Sequence, residues 1–168
     1  MIDAVVVMGV AGCGKSTLGA ALARAEGVPL VEGDEFHSER SRGKMSRGIA
    51  LDDADREGWL DTLGAQLRAH PAGVVLTCSA LKRAYRDRLR AAQPGLRFVF
   101  MDIDREAAQA RVAQRAGSHF FSPTLVESQF ATLESPVDEP GVLRVDALAP
   151  LRSLQTEVSA WLRGGARR

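Results

Sequence analysis

The stretch Ala4-Val5-Val6-Val7-Met8-Gly9-Val10-Ala11-Gly12-Cys13-Gly14-Lys15-Ser16-Thr17 leads from a short apolar run into a helix-forming segment through an unbroken G-x-x-x-x-G-K-[ST] pattern. Gly9, Gly12 and Gly14 have no Cβ, so the chain between them can take positive φ and turn its N–H groups toward one point. A helix starting at Lys15 adds about half a unit of positive charge at its N-terminus, with unpaired donors facing the same point. Such a cradle suits a polyphosphate. In this pattern Lys15 reaches the β- and γ-phosphates and the Ser16 hydroxyl ligates Mg²⁺. The strand-then-helix context that the motif needs is present, so the chain is expected to bind a nucleoside triphosphate.

Outward from this loop, aliphatic runs alternate with stretches of helical period. Strands are predicted over 4–8, 28–32, 74–78, 96–101 and 142–145, and helices over 15–26, 54–69, 82–92, 105–116, 123–133 and 151–162. Strands separated by helical crossovers form a parallel sheet, so the fold class is α/β: a doubly wound five-stranded sheet with ligands at the carboxyl ends of its strands. A chain of 168 residues is read as one domain; at that size about 68–70% of the unfolded surface is buried. Residues 163–168 read as a frayed, solvated tail.

A net charge of +1, from 22 basic and 21 acidic residues, gives no footprint for nucleic acid or an anionic membrane. No apolar run approaches the roughly 20 residues of a membrane span, and the expected location is cytoplasmic. The two cysteines, Cys13 and Cys78, lack metal-ligand spacing and read as free thiols.

Two connections are long and polar for their place. Residues 33–53 follow the second strand and read as an acceptor-binding segment; residues 116–123, Ala-Gly-Ser-His-Phe-Phe-Ser-Pro, read as a lid. Asp34 comes directly after the second strand, where a carboxylate can take an acceptor hydroxyl's proton or hold Mg²⁺ through water. Capping of a helix near Phe36 is the plain alternative. His37 either bonds an acceptor or is merely solvated. Arg111 and Arg115 lie four apart on one helical face before the lid, a spacing that aims two guanidiniums at a transferring phosphoryl group or leaves a solvated basic face. Ser79 and Lys82 follow the third strand, with helix capping as the alternative for Ser79. The third strand runs into Thr77-Cys78-Ser79 without the terminal Asp that often anchors Mg²⁺ in phosphate-loop ATPases. Asp52 and Asp53 read as helix-start residues, and Trp59 and Trp161 as packing residues.

Taken together, the chain resembles the gluconokinases, small phosphate-loop kinases similar to the shikimate and nucleoside-monophosphate kinases. The resemblance rests on Met8 to Thr17, on Gly33-Asp34 with His37, on Lys44-Met45 with Gly48, and on Leu51-Asp52-Asp53-Ala54-Asp55-Arg56 with Trp59-Leu60. It continues in Cys78 to Lys82, Tyr85-Arg86-Asp87, His119-Phe120-Phe121, Leu125 to Leu133 and Val145-Asp146. Ala50, Gly58 and Ser118 depart from the usual pattern, at positions that carry no chemistry. The resemblance implies ATP-dependent phosphorylation of D-gluconate at its 6-hydroxyl, in a homodimer, with ATP and Mg²⁺ as cofactors. It implies nucleotide contacts from Gly9, Gly12, Cys13, Gly14, Lys15, Ser16, Thr17, Arg111 and the segment starting at Asp146. It implies acceptor contacts from Asp34, His37, Lys44, Arg47, Ser79, Lys82, Arg115 and His119, with Arg56 either joining them or pairing with nearby acids. Lys15, Asp34, Arg111 and Arg115 would be the catalytic set, and Ser16 and Asp34 the metal-facing pair.

A shikimate or adenylylsulfate kinase would also place an acid after the second strand. The turn Ser79-Ala80-Leu81-Lys82 lacks the glycines of a shikimate kinase. A GTP-driven switch is disfavoured because the chain contains no asparagine and so no Asn-Lys-x-Asp guanine reader.

Overall fold

The computed structural model describes residues 2–114 and 123–164. Five strands, β1 (Val5–Met8), β2 (Leu30–Glu32), β3 (Val75–Thr77), β4 (Arg97–Asp102) and β5 (Val142–Asp146), form one parallel sheet in the order β2-β3-β1-β4-β5. The helices are α1 (Lys15–Glu26), α2 (Glu39–Ser46), α3 (Asp53–Ala69), α4 (Arg83–Ala92), α5 (Arg105–Gln114), α6 (Pro123–Thr132) and α7 (Leu151–Gly164). The expected doubly wound sheet is present.

Side chains alternate across each strand, so β1 feeds both layers of the core. Val5 and Val7 join Leu18 and Leu22 of α1 and Leu154, Val158 and Leu162 of α7 on one face. Val6 and Met8 join Trp59, Leu60, Leu63 and Leu67 of α3 and Leu89 of α4 on the other. Each such side chain, fully buried, contributes roughly 1.5–3 kcal/mol relative to exposure. Because β1 is central and buried on both faces, the loop that follows it is held on rigid footing.

Several boundaries differ from expectation. β2 starts at Leu30, since Gly27 closes α1 in the left-handed region at φ 69° and Val28 N–H bonds back to Ala23 O. The segment 33–53 is no plain loop: a 3-10 turn covers Gly33–Phe36, and α2 follows. α2 escapes a periodicity reading because Ser41 and Met45 are its only buried residues, one i,i+4 pair on an otherwise polar helix. Its start is local, with the Ser38 hydroxyl accepting from Ser41 N–H at 3.1 Å. Arg163 belongs to α7 and pairs with Glu26 at 2.8 Å, so it is no part of a solvated tail.

Candidate active site

The phosphate loop takes the backbone shape its glycines permit, with Gly12 at φ 86° and Gly14 at φ 96°. Gly14 leads into α1 with no side chain capping the helix, and no acid sits in its first turn. The amides at this helix start are therefore left without a capping side chain, and the nearby carboxylate is that of Glu32, which bonds Ser16 in the first turn. Lys15 arcs back over the loop, its Nζ donating to Gly9 O at 3.0 Å and Val10 O at 3.2 Å. Gly9 N–H bonds Ser79 O at 3.3 Å, which ties the loop's entry to the end of β3. Beside it lies a cavity of about 380 Å³, lined by Gly12, Cys13, Gly14, Thr17, apolar Leu18, Met101 and Leu154, and by Ala147 and Ala149. This is within the volume range of small-molecule sites.

Arg111, on α5, stands in that cavity. Its guanidinium donates to Gly12 O, Cys13 O and Ala147 O, each at 3.2 Å, and so joins the phosphate loop to the loop after β5. Asp146 is exposed, and its carboxylate accepts from Leu148 N–H at 2.9 Å within the turn that presents Ala147 and Ala149. Arg115 and His119, with the expected lid, lie outside the described residues.

At the other end of the loop the Ser16 hydroxyl donates to Glu32 Oε1 at 3.0 Å, and Thr77 Oγ1 donates to the same oxygen at 2.6 Å. Glu32 is the last residue of β2 and places a carboxylate beside Ser16. Ser16 and Glu32 present hard oxygen donors of the kind Mg²⁺ takes, and would hold it together with phosphate oxygens. Gly33 follows, pressed so closely on β3 that a Cβ there would lie 2.2 Å from Thr77 O. Close contact forces the turn that carries Asp34. That residue sits inside the 3-10 turn, while Ser38 caps α2, so Asp34 is not the helix cap.

Arg42 of α2 reaches back to this turn, donating to the carbonyls of Asp34 (3.3 Å), Glu35 (2.9 Å) and His37 (3.3 Å). His37 is buried, with Nε2 3.6 Å from Asp34 Oδ1 and its ring stacked on Trp59 at 4.2 Å. It is therefore not a solvated loop residue. Trp59 Nε1 donates to Gly33 O at 2.8 Å, giving this core residue a second task of holding the turn.

The remaining basic residues on this side fall into different environments. Lys44 is 2.6 Å from Asp55, and the Lys44 ammonium holds the Asp55 carboxyl below its ordinary range. Asp52 and Asp55 form a capping box at the start of α3. Arg47 is exposed at the end of α2. Lys82 caps α4 through its backbone and pairs with Asp53 at 3.0 Å, while Tyr85 Oη donates to the same Asp53 oxygen at 2.5 Å. The Tyr85 hydrogen bond is the leading cause of a lowered Asp53 pKa, followed by Lys82. Burial, then the bond to Asp53, pushes the phenol upward. Ser79 is buried at the end of β3, three residues before the α4 cap, and does not cap that helix. Burial pushes the neighbouring Cys78 thiol up to about 12, so it stays protonated; Cys13 and Cys78 are both free and buried.

The sequence reading assigns no role to three residues that build this site. Glu32 lies at a strand end, Gln129 Oε1 on α6 accepts from Ala11 N–H in the phosphate loop at 2.6 Å, and Arg86 is wholly buried. The Arg86 guanidinium donates to Ala80 O at 2.7 Å, Glu134 O at 2.8 Å and both Glu139 oxygens at 2.9 and 2.6 Å. It thereby fixes Ala80, the non-glycine residue with positive φ (47°), between Ser79 and Lys82. A helix-placed Arg followed by charged neighbours reads as surface, and only the fold turns it inward.

This geometry has relatives. The profile of a family described as an AAA domain matches residues 5–140. A gluconokinase of Gluconobacter oxydans is 45% identical over 144 residues, covering 83% of this chain and 80% of that protein. The thermoresistant gluconokinase of Escherichia coli is 38% identical, over 89% of this chain and 87% of its own length. The chain belongs to the gluconokinase family. It is accordingly an enzyme, a phosphotransferase on a phosphate-loop fold. The crystal structure of a gluconokinase from Sinorhizobium meliloti superposes with a TM-score of 0.89 at 43% identity, over 98% of this chain and 94% of that one. An adenylylsulfate (APS) kinase of Mycobacterium tuberculosis, at 18% identity and TM-score 0.69, shares the fold alone.

Proposed function

We propose that this gluconokinase-family chain transfers the γ-phosphoryl group of ATP to the 6-hydroxyl of D-gluconate, yielding ADP and 6-phospho-D-gluconate. The observation that carries the reading is the bridge at the sheet edge. Glu32 bonds the phosphate-loop Ser16, and Asp34 follows two residues later, so nucleotide side and acceptor side meet at the end of β2.

In this reading the uncapped amides at the start of α1 and the Lys15 ammonium hold the β- and γ-phosphates, and Arg111 fixes the loop against the base-binding turn at Ala147. Asp34 accepts or orients the proton of the attacking hydroxyl, whose oxygen bonds to the γ-phosphorus as the bond to the β-phosphate oxygen breaks. His37, stacked on Trp59, keeps the Asp34 turn in place. Ser16 and Glu32 would hold Mg²⁺, which supplies charge neutralisation between the phosphates. Arg115 and His119 are proposed to reach the transferring group and the acceptor from the lid, and Lys44, Arg47, Ser79 and Lys82 to bind the acceptor. A cytoplasmic homodimer completes the proposal; no helix of the described residues is long and apolar enough to cross a membrane.

The test is ADP release by purified protein with Mg²⁺-ATP against gluconate, shikimate, adenylylsulfate, nucleoside monophosphates and no acceptor. Gluconate-dependent turnover is expected. Turnover with a different acceptor alone would refute the assignment of the 33–53 segment.

A further inference from the structure

The side chain of Asp34 is 44% exposed and open to an acceptor, so the direction of its carboxylate depends on the turn that carries it. The sheet and α3 hold the entry of that turn: Gly33 N–H donates to Thr77 Oγ1 at 3.4 Å, and Gly33 O accepts from Trp59 Nε1 at 2.8 Å. The exit runs away from the sheet toward α2. A 3-10 turn ends on carbonyls that find no partner within it. Here one side chain gathers three of them. Arg42 Nη2 donates to Asp34 O at 3.3 Å and to Glu35 O at 2.9 Å, and Arg42 Nε donates to His37 O at 3.3 Å.

The helix that delivers Arg42 contributes little to the core, since Ser41 and Met45 are its buried residues. Its start is set by the Ser38 cap, and Arg42 N–H bonds Ser38 O at 2.9 Å, which places Arg42 one turn in, beside the carbonyls that precede the cap. Lys44 ties the same helix to Asp55 of α3 at 2.6 Å, so α2 is anchored on its far side as well. A guanidinium spreads its donors in a rigid planar fork and can hold several fixed acceptors at once, which a compact ammonium does less well. Three carbonyls of one turn are such a set.

We propose that Arg42 is a positioning residue for phosphoryl transfer: by gathering the carbonyls of Asp34, Glu35 and His37 it fixes the angle at which the Asp34 carboxylate meets the acceptor hydroxyl. This deepens the proposed role of Asp34 and rests on it. Arg42 acts through the turn and not on the substrate. Misplacing a reacting group by about 1 Å costs on the order of 10²-fold in rate, so α2 acts on the chemistry although none of its residues lines the cavity beside the phosphate loop.

The experiment compares wild type, Arg42→Met, Arg42→Lys, Asp34→Asn and the double variant Asp34→Asn with Arg42→Met in steady-state kinetics with gluconate and ATP, together with thermal unfolding of each. Arg42→Met should lower kcat by about 10- to 100-fold with the ATP KM unchanged. Arg42→Lys keeps the charge without the fork and should recover part of that loss. The double variant decides the matter. A residue that acts through Asp34 adds little once that carboxylate is gone, so the two losses should not multiply, whereas a merely structural residue would lower both backgrounds by the same factor. If Arg42→Met does not fold, Arg42→Lys carries the same comparison in both backgrounds. A wild-type kcat in the folded Arg42 variants, or losses that multiply, overturns this inference and leaves the role of Asp34 standing. A normal kcat in Asp34→Asn overturns both. Absence of gluconate-dependent turnover by wild type overturns the functional reading, and this inference with it.

Discussion

Ser16 Oγ and Glu32 Oε1 meet at 3.0 Å, and through this contact the end of β2 touches the start of α1. The parallel pairing of β2 with β3, and of β3 with β1, brings the two strand ends to one edge. A carboxylate beside Ser16 is thus supplied by the end of β2, where β3 itself ends in Thr77. Glu32→Ala is expected to raise the Mg²⁺ concentration for half-maximal rate several-fold while leaving the fold intact; a Mg²⁺ titration at fixed ATP reads it, and an unmoved midpoint would make Glu32 a structural partner of Thr77 only.

Lys15 spans the phosphate loop to two of its carbonyls. Lys15→Ala should lower turnover by about 10³ or more, the scale of losing a main charge at a phosphoryl transition state. Near-normal turnover by the folded variant would remove the loop from the mechanism.

Asp34 does not line the cavity beside the phosphate loop, so its loss should act on chemistry and not on nucleotide binding. Asp34→Asn is expected to cut kcat by about 10²–10⁴, the range of general acid–base contributions, with ATP affinity nearly unchanged in calorimetry. A variant impaired only in ATP binding would place Asp34 on the nucleotide side instead.

Glu139 is held below the ordinary carboxylate range chiefly by the Arg86 guanidinium, with burial opposing and Arg90 assisting. Because the folded value lies below the unfolded value near 4.5, this carboxylate contributes stability that is fully present above pH 4.5. That stability is lost as pH falls through the lower folded value. Asp55 and Glu26 shift in the same direction. Melting temperature should therefore fall steeply on acidification below about pH 4.5, and Glu139→Gln should both lower it at neutral pH and flatten part of the acid loss. Removing one partner of a buried pair costs about 3–5 kcal/mol, so a Glu139→Gln midpoint equal to wild type at pH 7 would show that Arg86 finds other partners.

Gly58 lies within α3, and a Cβ there would meet nothing within 4 Å. Gly58→Ala should stabilise the protein by about 0.5–1 kcal/mol, through helix propensity and a less disordered unfolded chain. Chemical denaturation checks it, and a lower midpoint would mean that the glycine is needed for helix bending.

The fold was legible in the chain because its signals are local. A β1 that alternates between two cores, glycines that open the phosphate loop and apolar stripes on α3 and α7 each encode their own geometry within a few residues. α2 was not legible, since a helix with one buried i,i+4 pair has no stripe to read. The site divides the same way. Lys15, Ser16 and Asp34 stand out because strand ends and loop spacing give them position directly. Sequence by itself thus determined the phosphate loop, the parallel α/β sheet and the acid after the second strand. The tertiary structure alone decided that Glu32 faces Ser16, that Arg86 turns inward to fix Ala80, and that Lys44 and Lys82 are paired with Asp55 and Asp53. The Ser16–Glu32, Lys82–Asp53 and Arg86–Glu139 contacts join residues 16, 29 and 53 positions apart through the strand order β2-β3-β1-β4-β5 and the helices laid across it, and no local period carries that information.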